Sequence, residues 1–305
     1  MFFEETRKSL VKLGLPSGDR YDLPTSHKRF KDGAQFRIEC PTINSPECMR
    51  ALVETSWKEY GVRINKIDET YGIIRHTTKD LKEYCVIAKE YGVEVNFSIG
   101  PRAEYDIGGT VKTPQGVRVG YRLRGMENIV RAIEDVKRVV ELGARGILVY
   151  DEGILWVLAD MRANGDLPAD LSLKLSAHMG ACNPASFKLF ERLGANTINP
   201  IRDLTLEMLA ALREAVDVPI DLHTDNPPAS GGFIRTYDAP DMVRIVSPVY
   251  LKMGNSAVSA HGLKTSAQDG KNMAAQVSRI HETIMKYYPD AKQSEPGQSD
   301  MCIPK

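Results

Sequence analysis

Eight short runs of β-type residues, each followed by a stretch of helical period, constrain this chain more than any other feature. The runs are Phe36–Thr42, Arg63–Glu69, Val93–Ile99, Gly146–Asp151, Ser172–His178, Thr197–Pro200, Pro219–His223 and Val249–Met253. Stretches such as "SPECMRALVETSWKEYG", "TTKDLKEYCVIAKEYG" and "NPASFKLFERLGA" lie between them, opening on Ser, Thr or Asn and closing near Gly. That is the residue asymmetry of helix caps. Strands joined through helices lie parallel, because a parallel pair needs a crossover that a hairpin cannot supply. Eight is also the closure number of the (β/α)8 TIM barrel, whose usual length of about 250 residues matches 35–290. An open doubly wound sheet fits less well: no GxGxxG motif opens the first helix, which begins "TINSPEC". The sequence therefore predicts an α/β chain built as one TIM barrel, the catalytic domain, over 35–290.

Three segments fall outside the regular unit. Residues 1–34 read as an N-terminal arm with a helix over Phe3–Leu13, suited to plugging the barrel bottom or to homo-oligomer contact. The long insertion after strand three places Val111–Lys112 and Val117–Tyr121 on either side of "TPQG", which predicts a β-hairpin lid over 108–124. The tail, 291–305, is polar and reads as weakly ordered.

Composition narrows the class of function. The 40 basic and 40 acidic side chains cancel, which argues against nucleic acid or an anionic membrane surface as partner. No stretch approaches the roughly 18 apolar residues of a membrane span. "MFFEETRKSL" also carries acids where a secretory leader would need an apolar run. The expectation is a soluble, cytoplasmic protein with a small-molecule substrate. The five cysteines show no CxxC spacing and read as reduced thiols rather than as a disulfide framework or a metal cluster.

In barrel enzymes the chemistry stands at the C-terminal ends of the strands. Those ends carry Glu39, Asp68 and Glu69, Asn96 and Ser98, Asp151, His178, Asn199 and Arg202, then His223 and Asp225, and finally Lys252 and Asn255. Strand alternation gives Asp221 and His223 one direction, and Lys174, Ser176 and His178 another shared one. Polar positions stacked inside a barrel are costly unless paired, so they suggest an interior built for a ligand. His223 and Asp225 form a His-x-Asp pair suited to a divalent metal, which Glu39 would complete; a structural histidine–carboxylate contact is the plainer reading. His178, Lys252 and Asp68 are the candidates for acid–base work, with ion pairing as the plainer alternative for the lysine. Arg102 and Arg122, with Arg118 and Arg124 on the same insertion, suit substrate carboxylates or phosphates, and Asn199 and Asn255 could complete the binding set. "GNS" at 254–256 could seat a phosphate on its backbone amides. No nucleotide-cofactor motif is present in the sequence.

"RLGANTINPIRDLTLEMLAALREAVDVPIDLH" (192–223) resembles a stretch of the U32 peptidase-like TIM-barrel proteins, in Gly194-Ala195, in Arg202-Asp203-Leu204-Thr205 and in Leu206-Glu207. The upstream "LKLSAHMGACNPASFKLFERLGA" fits the same pattern, so the resemblance covers about residues 171–223. It departs where that family carries a glutamate and "HG" followed by cysteines, here "DLHTDNPPASGG". The resemblance implies a barrel and, as one activity, a metal-free hydrolase using Lys252 or His178. The leading expectation is a divalent-metal-assisted lyase, hydrolase or isomerase acting on a small anionic substrate. A non-catalytic binding or assembly subunit is the third.

Overall fold

The computed structural model describes residues 2–305, apart from the side chains of Glu104, Val117 and Arg118. Eight parallel strands close into a barrel in sequence order, with the last pairing to the first. They are β1 (Phe36–Cys40), β2 (Lys66–Asp68), β3 (Glu94–Ser98), β4 (Gly146–Val149), β5 (Ser172–Leu175), β6 (Thr197–Ile198), β7 (Ile220–His223) and β8 (Val249–Lys252). Outside them run α2 (Pro46–Tyr60), α3 (Thr78–Tyr91), α4 (Gly125–Glu141), α5 (Glu152–Asn164), α6 (Pro184–Arg192), α7 (Leu206–Ala215), α8 (Ala239–Val246) and α9 (Ala267–Tyr287), after the N-terminal α1 (Glu4–Lys12). This is the (β/α)8 TIM barrel expected from the alternation of periods.

The cap residues do their expected work. Thr77 and Asp80 form a capping box at the start of α3, and Ser266 and Asp269 do so at α9. Asp151 accepts the amides of Gly153 and Ile154 at the start of α5. The outward faces of the strands supply Ile38, Ile67, Val95, Phe97, Ile147, Leu173, Leu175, Leu222 and Leu251 to the apolar layer beneath the helices. Apart from Gly146 and Leu148 of β4, the inward faces are largely polar, and that is where the fold becomes informative about function.

The long insertion differs from its predicted form. In place of a β-hairpin it makes successive 3-10 turns at Ala103–Tyr105, Thr110–Lys112 and Gly116–Val119. The reason is local. The Thr113 hydroxyl donates to the Thr110 carbonyl at 2.7 Å and accepts from the Gly116 amide at 3.1 Å, so backbone groups a hairpin would pair are bonded within the turn. Val111 is buried as well, instead of alternating along a ribbon. The ends of the insertion are held together by the Ala103 amide on the Arg122 carbonyl at 3.1 Å.

Both terminal segments close the barrel bottom. Residues 20–28 run along α7 and α8, with the Arg20 amide on the Glu207 carbonyl and Lys28 on the Val216 carbonyl and Asp217. Phe30 then packs edge-on to Tyr250 at 5.2 Å, and the Arg37 guanidinium lies 4.0 Å from the Phe30 ring. The tail is packed, contrary to the weak order its composition suggests. Arg37 donates to Ser294 at 3.0 Å and to Asp300 at 2.7 Å, Asn65 donates to the Ser294 carbonyl at 2.9 Å, and Met301 and Cys302 are buried. Its polar residues are therefore partners for buried groups at the strand starts. Deleting residues 291–305 strips Arg37 of two of its acceptors while leaving it buried, so the urea unfolding midpoint should fall by the equivalent of about 2–5 kcal/mol. An unchanged midpoint would show that the tail is dispensable.

Candidate active site

The inward-facing residues form layers. At the bottom, Arg37 donates to the Tyr250 hydroxyl at 2.9 Å, and Tyr250 donates in turn to Glu94 at 2.7 Å. The middle layer is set by register. Glu39 stands opposite Lys66 on β2 and opposite Lys252 on β8, so the seam that closes the barrel puts one carboxylate between two lysines. Lys174 reaches in from β5 to Glu39, to Asp68 at 3.2 Å and to Asp221 at 3.3 Å. Lys252 contacts Glu39 at 2.5 Å and also Asp68, while Lys66 lies 3.5 Å from Asp221 and 3.7 Å from Glu39. Three ammonium groups thus interleave with three carboxylates, all within the closed barrel.

Burial by itself opposes ionisation of Glu39 and Asp221. The lysines outweigh it and hold both carboxyls below their ordinary range, with Lys174 the strongest influence on each. Lys174 is in turn disfavoured as a cation by burial, but Asp221, Asp68 and Glu39 raise it above the ordinary lysine value. It is an ion-pair partner of all three carboxylates.

The mouth lies above this layer. His178 sits in a 3-10 turn, Ala177–Met179, because β5 ends at Leu175 and does not continue to His178 as the sequence suggests. Its ring stacks on Tyr121 of the insertion, with centroids 3.8 Å apart and planes 17° from parallel. Tyr121 also stacks on Tyr150 at 5.0 Å, and His261 lies 5.1 Å from His178. The Arg102 guanidinium is buried among the rings of Tyr105, Tyr121 and Tyr150, at 4.9, 5.0 and 5.0 Å, and bonds to the carbonyls of Thr70 and Tyr71. Arg202 meets His178 with Nη2 3.3 Å from Nε2. A guanidinium has donors only, so Nε2 is the acceptor and the proton of neutral His178 is on Nδ1. Burial, followed by Arg202, Arg102 and Lys252, pushes His178 down to about 3. Burial, followed by Lys252, Arg202 and Lys174, holds His223 well below the usual imidazole value, and burial, followed by His178, Arg102, Arg202 and Lys252, does so for His261. The mouth presents three neutral imidazoles among cations.

The remaining candidates serve structure. Asp225 accepts the Gly254 amide at 3.0 Å and the Ser256 amide at 2.6 Å, so two of the three "GNS" amides are bonded within the protein. Asn255 accepts from Thr42 at 2.9 Å and donates to Asn226 at 2.8 Å, which stitches the loops after β1, β7 and β8 together. Asn199 donates to the Asp221 carbonyl at 2.7 Å. Arg122 pairs with Glu152 and lies 3.7 Å from Asp151, anchoring the insertion to the start of α5 instead of entering the mouth. Arg124 is 3.5 Å from Asp106, and the side chain of Arg118 lies outside the described residues.

The expected metal set of Glu39, His223 and Asp225 does not converge. Glu39 is enclosed by lysines, and both Asp225 oxygens take backbone amides. Among the described residues no three His, Cys, Asp or Glu side chains are placed to share a metal ion. The donors present do not fit a divalent cation. The sequence reading did not single out Tyr121, Tyr150 and His261, and it named Arg202 only as a strand-end residue. Tyr121 and His261 lie on loops whose approach to the mouth no periodicity reports.

Residues 123–224 match the model of peptidase family U32. This is a partial resemblance, and it contains the segment 171–223. No curated protein matches the chain. Among solved structures, the Rubisco-like protein from Rhodopseudomonas palustris has a TM-score of 0.52 at 11% identity, covering 92% of this chain and 72% of that one. The U32 peptidase Mk0906 has a TM-score of 0.42 at 18% identity, covering 65% and 73%. A truncated 3-deoxy-D-arabino-heptulosonate 7-phosphate synthase from Thermotoga maritima has 0.44 at 14%, covering 85% and 90%. The chain shares the fold of TIM-barrel enzymes, and no helix among the described residues is long and apolar enough to cross a membrane.

The middle layer generates a test of its own. Replacing Lys174 by Met leaves its carboxylates enclosed and short of one cation, which should cost about 3–5 kcal/mol by urea denaturation. Glu39 and Asp221 are depressed in the folded state, so their stabilisation is complete above the unfolded carboxyl value near about 4 and is lost as pH falls below it. In the Lys174→Met protein the folded values rise toward the unfolded one, so less of this stabilisation remains to be lost and stability should fall less steeply as pH drops below about 4. Identical acid-unfolding curves for the two proteins would refute the coupling.

Proposed function

We propose that this protein is an enzyme that moves a proton on a small anionic substrate bound in the barrel mouth. The observation that carries the reading is the convergence of Arg102 and Arg202 with three neutral histidines on the end of the barrel where this fold places its chemistry, above the layer that holds Lys252. Such a mouth attracts anions and leaves imidazoles in the form that accepts protons. His178 is the base. Its Nε2 lone pair is covered by Arg202 until a substrate anion draws the guanidinium away, and that anion also offsets the positive field that depresses His178. The C–H bond beside the substrate's carbonyl or carboxyl breaks toward Nε2, and the electron pair moves onto the oxygen. Lys252, oriented by Asp68, supplies positive charge to that oxygen, and Arg102 orients the substrate. Tyr121 leaves its stack on His178 as the substrate enters. Lyase and isomerase chemistry both begin with this step.

Hydrolysis is the second reading, favoured by the U32 match over 123–224, which contains His178, Arg202 and His223. It would use His178 to activate water in place of a carbon acid.

The test is deuterium exchange from D2O into a panel of small carboxylic and phosphorylated acids, followed by NMR. Exchange should persist after thorough chelation and fall by about 10²–10⁴-fold in His178→Asn, with acid binding retained. Exchange abolished by chelation and restored by a divalent metal would overturn the reading. Peptide or ester cleavage without exchange would select hydrolysis instead.

A further inference from the structure

Arg202 stands apart from the other basic groups of the barrel interior. Lys66, Lys174 and Lys252 each have carboxylate partners, whereas Arg202 meets the neutral His178, no carboxylate of the described residues is among the groups that act on it, and its Nε has no hydrogen-bond partner. Two further nitrogens in the same neighbourhood are buried without partners, Nδ1 of His223 and Nε2 of His261. His223 as a residue is only 6% exposed. His261 lies 5.1 Å from His178 and Arg202 lies 3.3 Å from it, while His223 ends β7, the strand paired to β6, after which Arg202 follows. The Arg202 and Lys252 charges act on both imidazoles. A buried polar atom left without a partner costs about 1–3 kcal/mol. Several at one barrel mouth, beside an uncompensated guanidinium, form a receptor for something that accepts hydrogen bonds and carries negative charge.

We propose that Arg202, His223 and His261 form the subsite that grips an oxyanion group of the substrate, so that Arg202 sets both affinity and the release of the His178 lone pair. This deepens the reading of the mouth as a substrate site and rests on it. An Arg fork with neutral imidazoles that can each donate one N–H suits either a carboxylate or a phosphate. The shared chemistry is a terminal oxyanion. Arg202 acts on His178 as a positioning residue, because the guanidinium that takes the substrate's charge is the one that covers the base.

The experiment is a calorimetric titration of the full chain with inorganic phosphate and, separately, with acetate, for the wild type and for Arg202→Gln and Arg202→Lys. It is read alongside the imidazole ring signals by NMR. The expected result is saturable binding of at least one anion, with shifts of the histidine signals. Arg202→Gln should weaken it by about 10-fold or more, and Arg202→Lys should recover part of it, since charge survives without the fork. Thermal unfolding of both variants should match the wild type. A preference for phosphate or for acetate identifies which terminal group the subsite takes. If anions bind with histidine shifts but Arg202→Gln binds them equally well, the subsite is overturned while the mouth remains a substrate site. If neither anion binds or moves the histidine signals, both proposals fail.

Discussion

Glu39 is the residue on which the interior depends. The β8–β1 seam is where the barrel closes, and register there fixes Glu39 between Lys66 and Lys252 while Lys174 reaches it from across the barrel. A closed barrel needs its interior filled, usually by branched apolar side chains. Here the centre is filled by alternating charge, stable as a group because each ion has opposite neighbours. Such a core is held by mutual neutralisation more than by transfer out of water, and removing one member exposes the rest to the cost of burial without a partner.

Charge changes along the barrel axis. The bottom is sealed by Phe30 and the tail, with Arg37 absorbed by Ser294, Tyr250 and Asp300. The centre is balanced, and the mouth carries cations and neutral imidazoles. The polarity of the molecule therefore points one way, toward the C-terminal ends of the strands. Tyr121 covers His178 at that end by stacking on its ring.

Much of this was legible in the sequence, for identifiable reasons. Strand and helix periods are local, and all eight strands fall inside the runs read from residue pattern. The alternation that puts Lys174 and Asp221 inward is local too. What was not legible depends on partners distant in sequence. Asp225 looks like a metal ligand beside His223 until the amides of Gly254 and Ser256 are seen to occupy it. Arg122 looks like a substrate clamp until Glu152 and Asp151 are placed beside it. The "TPQG" turn suggested a ribbon, but a threonine hydroxyl satisfied the backbone first. The tail looked loose because its polar residues have no local partners; their partners are on β1 and just before β2.

The stitching of the rim has a consequence for traffic. Asp225 and Asn255 tie the loops after β1, β7 and β8 into one frame through buried hydrogen bonds. The insertion after β3 is joined across its base by the Ala103–Arg122 bond and to α5 by the half-exposed Arg122 pair. Under the proposed function, substrate would pass on the β3–β4 side, where the tie is half-exposed, so the barrel, symmetric in its strands, is held unevenly at its mouth.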